Sequence, residues 1–354
     1  MNFSSTVRGC LMAGALGDSF GYLIERDDLA SIKNRFGNEG LLDLSQSDAP
    51  VHFSDDTQLT LFTLDGLIEA IDWANQGIAA DHLACLWLAY LRWLRTQGEQ
   101  IPENAPQPPR RWLDQQQVLL HRRDPGKACL SSLLSGDMGT IQKPIAAEAK
   151  GCGSVMRSAP FGLIPHLDAE LAARMSLNAA ALTHGHPVAY QASAAFSWLI
   201  HQLAVKRLSL AEAMTSMKGY LETLSAESVL LGAVQDALRL ASEQTGASYP
   251  AGAELSSALG LGWVAEEALA LACYCALVTE PEATSPTAHY LTAIRVAANH
   301  DGDSDSVAAI TGNILGAHYG EACLPTGWLL AAEAPELIYA MADEFVRVTG
   351  SEAS

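Results

Sequence analysis

Two short acidic clusters hold the side chains best suited to chemistry in this chain: FSDDTQ at residues 53–58 and HDGDSDS at residues 300–306. Each sets carboxylates beside a hydroxyl, just ahead of an apolar run. Carboxylate and hydroxyl oxygens, completed by water, suit hard cations such as Mg²⁺, Mn²⁺ or Ca²⁺, and neither cluster is built from Cys and His as a zinc site usually is. Brought together, Ser54, Asp55, Asp56, Asp303, Asp305 and Ser306 supply four formal negative charges and two neutral oxygens. That is enough for a pair of divalent ions, and paired metals usually serve catalysis. A plainer reading competes. Ser and Asp are preferred N-caps, Asp55 and Gln58 have capping-box spacing, and acidic groups near a helix start are favoured by its dipole. A calcium loop is also conceivable, with Asp301, Asp303 and Asp305 at positions 1, 3 and 5 of an EF-hand-like series. It fails further on, where position 6 is Ser306 instead of Gly and position 12 is Gly312 instead of Glu. Three aspartates within five residues repel one another in a way that capping does not require, which favours a cation.

Other residues gain meaning only from their neighbours. The run RGCLMAGALGDSFGYLIE, residues 8–25, places Gly9, Gly14, Gly17 and Gly21 within a few helical turns. Each glycine weakens a helix by about 1 kcal/mol relative to Ala, so another element must pack very close to this backbone. Glu25 ends the run as a carboxylate that faces either solvent or a site. KGCGSVMRSAPFG, residues 150–162, is a Gly-flanked turn whose N–H groups can cradle a phosphate, or simply an ordinary turn. THGHP, residues 183–187, sets His184 and His186 at a helix entry with Pro187 in the first turn. Two histidines at i, i+2 do not share a helical face, so one is expected at a ligand and the other in a structural or exposed place.

The elements that must carry these residues read almost entirely as helix. In TQLTLFTLDGLIEAIDWAN, Leu61, Leu64, Ile68 and Ile71 repeat at helical spacing while Asp65, Glu69 and Asp72 sit off that face. Similar patterns recur near 82–96, 168–182, 187–206, 210–223, 227–243, 264–279, 287–298, 306–318 and 334–348. No stretch alternates over strand length, and abundant Ala favours helix. The proline-rich segment 99–112 reads as a surface excursion, either a plain connector or a cover over a cleft, and 244–256 as a second loop. The two acidic clusters flank both loops, so the chain must fold back on itself. A single all-α domain over residues 1–350 with a tail at 351–354 is expected.

Composition sets limits. The 354 residues can bury a core without staples, and 49% hydrophobic content indicates a globular chain. A net charge of -19 argues against nucleic acid bound through a basic face and leaves room for a local basic pocket. Cysteines at 10, 85, 129, 152, 273, 275 and 323 form no CxxC pair and read as buried thiols of a reducing compartment. Arg8 followed by GCLMAGALG has the look of a secretory h-region, but Asp18 closes the run early. No apolar run reaches membrane-span length, and a cytoplasmic location with no membrane partner is expected.

Taken in order, GALGDSFGYLIE, FSDDTQ, KGCGSVMRSAPFGL, THGHP and HDGDSDSVAAITGNILGAHYG resemble the ADP-ribosylglycohydrolase family over about residues 8–320. The resemblance implies a compact all-α orthogonal helical bundle and a binuclear centre of two divalent cations, Mg²⁺ or Mn²⁺. It also implies hydrolysis of the bond joining ADP-ribose to an acceptor, often a protein arginine. Ser54, Asp55 and Asp56 match the first metal triplet, which more often begins with Thr. Asp303, Asp305 and Ser306 match the second, with serine for threonine and with Asp301 where the family has glycine, an extra charge expected to tune metal affinity or touch the acceptor. Glu25 matches an acidic residue over the metals near the scissile ribose. Gly151, Cys152, Gly153, Ser154, Val155, Met156 and Arg157 match the loop that holds diphosphate and ribose, Cys152 replacing a frequent Asn, and His184 matches the ligand-pocket histidine.

On that footing Glu25, Asp55, Asp56 and Asp305 are the candidate catalytic groups. Glycoside hydrolysis usually employs two carboxyl groups, one aiding departure and one activating water. Which carboxylate supplies the proton stays open. The implied partner is an ADP-ribosylated protein or another ADP-ribosyl conjugate. A rival is an immunity or antitoxin protein that binds and blocks a cognate ADP-ribosyltransferase, disfavoured because the stretch ahead of Gly9 is short. A silent scaffold of the same fold is disfavoured because all six metal positions keep oxygen side chains.

Overall fold

Apolar faces that repeat every three to four residues can be buried only by packing helix on helix, and Ala lets the axes approach closely. The computed structural model describes residues 2–48, 50–244 and 249–350. Its α-helices run α1 Phe3–Tyr22, α2 Leu29–Phe36, α3 Asp55–Asn75, α4 His82–Thr96, α5 Lys127–Leu134, α6 Ala159–Gly162, α7 Ala169–Ala180 and α8 Pro187–Ala204. The second half continues with α9 Leu210–Thr223, α10 Ser228–Ser242, α11 Ala253–Leu259, α12 Ala265–Val278, α13 Pro286–Ala298, α14 Ser304–Tyr319, α15 Thr326–Ala331 and α16 Pro335–Val348. Among the described residues there is no strand, only an isolated bridge between Gly151 and Val264. The expected all-α class is what is found. The long helices stand where periodicity put them, while α2, α5, α6, α11 and α15 span eight residues or fewer, too short for a repeat to show.

The centre of the molecule is an antiparallel pair, α1 against α14, in continuous contact. The glycines explain how close it is. A Cβ on Gly17 would overlap the carbonyl oxygen of Ala308, and one on Gly312 would overlap that of Ala13. Tyr290 Oη donates to Ala13 O at 2.7 Å and Asn313 Nδ2 to Cys10 O at 2.8 Å, so side chains of α13 and α14 also bind the α1 backbone. The α12 helix is buried almost all round behind this pair, and α8 completes the core.

Of the two readings of residues 99–112 the plain connector fits: Arg111 Nε reaches Asp65 Oδ1 at 2.8 Å and Pro108 O accepts from Arg95 at 3.2 Å, so the segment lies along α3 and α4. Prolines supply no donors, and the arginines of the segment and of α4 fasten it there. The second loop is partly helical, as α11, while residues 245–248 and the expected tail 351–354 lie outside the described residues.

Candidate active site

Antiparallel pairing of α1 and α14 brings the end of the first beside the start of the second. A Cβ on Gly21 would overlap the carbonyl oxygen of Ser304, so the turn after α1 hangs over the second acidic cluster. Glu25 lies in that turn, since α1 ends at Tyr22. The first cluster arrives from α3, whose start is fastened on three sides. Asp18, one turn before the end of α1, accepts from Ser54 N at 2.9 and 3.1 Å, from Thr57 N at 3.0 Å and from Thr57 Oγ1 at 2.5 Å. The loop ahead of α5 adds two bonds to Asp55, whose N–H donates to Arg123 O at 3.0 Å and whose Oδ2 accepts from Gly126 N at 3.2 Å. Arg123 in turn donates to Glu333 at 2.9 Å and to Phe53 O at 3.3 Å.

The result is one cavity of about 650 Å³ lined by Glu25, Asp55, Asp56, Asp303, Asp305 and Ser306. Sequence separates these residues by up to 281 positions; the fold joins them. Gly151, Cys152, Gly153, Met156 and His184 line the same cavity. Four members of the expected set do not. Ser54 is fully buried and its hydroxyl accepts from Asp56 N at 3.1 Å, the N-cap role that composes the competing reading. Ser154 bonds Ser193 Oγ at 3.0 Å and Val155 is wholly buried, so both face α8 and the core. Arg157 is also buried, donating to Thr183 Oγ1 at 2.7 Å with its guanidinium 4.4 Å from the Tyr90 ring centroid.

Capping and chemistry coexist here. Asp303 caps α14 by accepting from Ser306 N at 3.2 Å, yet its other oxygen faces Cys152. The capping-box pairing of Asp55 with Gln58 is absent, because the Gln58 amide bonds His121 O, Trp93 and Gln97 instead. Asp301, the extra charge, does not line the cavity; its Oδ1 accepts from Leu29 N at 2.8 Å and anchors the start of α2. Gly302, at φ 153°, lets the chain pass Leu261, where any Cβ would strike the carbonyl.

The Gly-flanked turn is pinned to α12 by Cys152 N to Trp263 O at 3.2 Å and Ala265 N to Lys150 O at 3.0 Å. Among the described residues the N–H group of Gly153 has no protein acceptor, as an anion cradle requires. His184 follows from Arg157. The Thr183 hydroxyl accepts from Arg157 and pairs with His184 Nδ1 at 2.8 Å. That leaves Nε2 on the cavity side, beside Gly153. Burial, and then Arg157, lower the pKa of His184 to about 3, so it stays neutral. His186 instead caps α8, its Nδ1 accepting from Val188 N at 3.2 Å.

Five buried acids so close together cannot all be ionised unaided. Burial first, then neighbouring carboxylates, push Asp55, Asp56 and Asp305 well above the ordinary range, although Gly126 N–H opposes the rise at Asp55. Glu25 rises to about 7 through burial and Asp303, and Asp18 to about 6 through burial despite its four hydrogen bonds. Glu25 Oε2 and Asp56 Oδ2 are buried without a partner, although no cluster of three Asp, Glu, His or Cys among the described residues closes into a ready metal shell. Oxygen donors, orphaned and crowded, match a hard divalent cation. The rim is cationic, with Arg26, Arg122 and Lys127, and Trp263 stands half-exposed at the mouth.

Sequence reasoning passed over Asp18 and Asp124. Asp18 was signalled as a lone acid within GALGDSFG, where a carboxylate survives burial only with partners. Asp124, on the cavity wall at φ 51°, accepts from Tyr22 Oη at 2.9 Å and pairs with Arg26 at 2.6 Å; its Asp-Pro-Gly context reads simply as a turn.

The family model described as ADP-ribosylglycohydrolase matches residues 1–354. ADP-ribosylhydrolase ARH3 of Mus musculus is 24% identical over 373 residues, covering 97% of this chain and 92% of that protein. A solved structure titled ADP-ribosylglycohydrolase-related protein complex aligns with a TM-score of 0.65 at 21% identity, over 98% of this chain and 99% of its own, a likeness of fold.

Proposed function

The chain belongs to the ADP-ribosylglycohydrolase family, glycosidases that release ADP-ribose, and from that we propose a metal-dependent hydrolase of ADP-ribosyl conjugates, with ADP-ribosyl-arginine on protein as the favoured substrate. The observation that carries this reading is the convergence of Glu25, Asp55, Asp56, Asp303, Asp305 and Ser306 on one cavity in which Glu25 Oε2 and Asp56 Oδ2 are buried and unpartnered. We assign Asp55, Asp56, Asp303, Asp305 and Ser306 as ligands of two Mg²⁺ or Mn²⁺ ions, with Ser54 acting as cap behind them. Residues 1–350 act as one domain in this reading.

Such ions would lower the pKa of bound water and hold the ribose hydroxyls. The protein supplies the rest. The turn after α1 holds Glu25 in the same cavity as Asp55 and Asp56, and a pair of carboxyl groups is the usual provision for glycoside cleavage. With its pKa near 7, Glu25 can hold or release a proton at neutral pH, the condition for acid–base work on a guanidine leaving group. The Gly153 N–H group, with the Arg26, Arg122 and Lys127 rim, suits a diphosphate on a chain otherwise strongly acidic. His184 Nε2 faces the ligand space, and Arg157 positions the ring through Thr183. The volume of about 650 Å³ lies within the range of small-ligand pockets.

The test is release of ADP-ribose from defined arginine, serine and nucleobase conjugates, with Mg²⁺ or Mn²⁺ and after chelation. Turnover confined to the metal-loaded protein and fastest on the arginine conjugate is expected. Full turnover after chelation refutes the metal assignment, and binding of a transferase without any turnover favours the immunity reading.

A further inference from the structure

The oxygen cavity has a soft edge. Cys152 Sγ donates to Asp303 Oδ2 at 2.8 Å and lies 3.6 Å from Ser306 Oγ, while Met156 Sδ lies 3.9 Å from the same hydroxyl. Two sulfurs therefore flank one of the proposed ligands. Nothing in the catalytic reading above uses either of them. The same cavity is lined by Asp56, only 4% exposed, whose Oδ2 is buried with no partner. All seven cysteines are free; six are buried and Cys152 alone lines this cavity.

Thiolate and thioether donors favour thiophilic ions, and carboxylates complete a tetrahedral shell around them readily. The geometry points to a second cation mode at the Asp303 end of the cavity, in which Cys152 Sγ joins Asp303 and Asp56 around Cd²⁺ or Zn²⁺ and excludes the hard ion. The metal–sulfur bond forms as the thiol proton leaves to solvent, with no change of oxidation state. Cys152 is then a residue that determines which divalent ions the site accepts, and trace thiophilic metal becomes a competitor of Mg²⁺ and Mn²⁺. The inference rests on the metal-dependent reading above.

The probe is Cd²⁺ alone, added to chelator-stripped full-length protein, with the thiolate-to-metal charge-transfer absorption in the ultraviolet as readout. Wild type should develop the band to one equivalent and lose it on adding excess Mn²⁺. Cys152→Ser and Cys152→Asn should show no band, with Cd²⁺ affinity down about 10-fold or more and Mn²⁺ affinity, by calorimetry, within a few-fold, taking an outer-shell change as the lower bound for losing a ligand. In unaltered protein, Cd²⁺ should also protect Cys152 selectively from iodoacetamide, mapped by mass spectrometry, a measurement that does not depend on either variant folding. A band that persists in both variants, or a wild type that binds Mn²⁺ yet gives no band and no protection, overturns the inference alone. A wild type that binds neither Cd²⁺, Mn²⁺ nor Mg²⁺ overturns the metal-dependent reading with it.

Discussion

Replacing Glu25 by Gln should make the metal-free protein more stable and the enzyme much slower. The folded-state pKa of Glu25 is about 7 against an ordinary 4.5, with burial the main cause and Asp303 the next. A raised acid contributes fully to stability below its unfolded pKa and loses that contribution as pH rises through the folded value. The chelated wild type therefore loses stability progressively between pH 4.5 and about 7 and stays at that lower level above it, where Glu25 is ionised, and the neutral amide loses none. At about 1.4 kcal/mol per pKa unit the ceiling is roughly 3.5 kcal/mol, and partial solvent access reduces it to roughly 1–2 kcal/mol. Denaturant unfolding of chelated wild type and Glu25→Gln at pH 4 and pH 8 reads this directly: equal stabilities in acid, and the variant ahead at pH 8. Loaded with metal, the same variant should keep ADP-ribose affinity within a few-fold while kcat falls by about 10² to 10⁴, the usual range for a positioned acid or base. Unchanged kcat, or a variant no more stable than wild type at pH 8, refutes a buried, working carboxylate at this position.

Asp55→Ala and Asp305→Ala should abolish turnover and divalent-ion binding while leaving helical circular dichroism intact, because both sit at helix starts facing the cavity; metal binding retained in both variants would sink the ligand assignment. Metal affinity should weaken as pH falls, since Asp55, Asp56 and Asp305, raised well above the ordinary carboxylate range, hold protons that a cation must displace; calorimetry giving equal affinities at pH 5.5 and pH 8 counts against carboxylate ligation. Asp18→Ala leaves two buried N–H groups and one hydroxyl near the start of α3 without their acceptor, about 1–3 kcal/mol each, so the melting temperature should drop together with metal affinity. Gly17→Ala drives a methyl into the Ala308 carbonyl and should cost about 1–3 kcal/mol through overpacking; a wild-type melting temperature would mean that α1 and α14 are less close than described.

Local pattern alone carried much of this. Helical periodicity is written into each long segment, so the all-α class and the spans of α3, α4, α8, α12 and α14 follow from spacing. The two acidic clusters stand out as candidate chemistry by composition alone, although Asp303 also caps α14, Asp301 holds the start of α2 and Ser54 caps α3. Glycines crowded into residues 9–21 foretold a close neighbour without naming it. What could not be read was which partner each group would meet. Asp18 looks like an interruption of an apolar run until the fold sets it under Ser54 and Thr57, and Asp301 looks like a site charge until Leu29 N–H is found against it. Arg157 matches a ligand loop by position but is turned to Thr183 and Tyr90 by packing, and Glu25 acquires its raised pKa from burial first and then from Asp303, far along the chain. Periodicity is a property of neighbours in sequence, whereas burial, hydrogen-bond satisfaction and the mutual repulsion of carboxylates depend on distances between helices, and these are fixed only when α1 closes on α14.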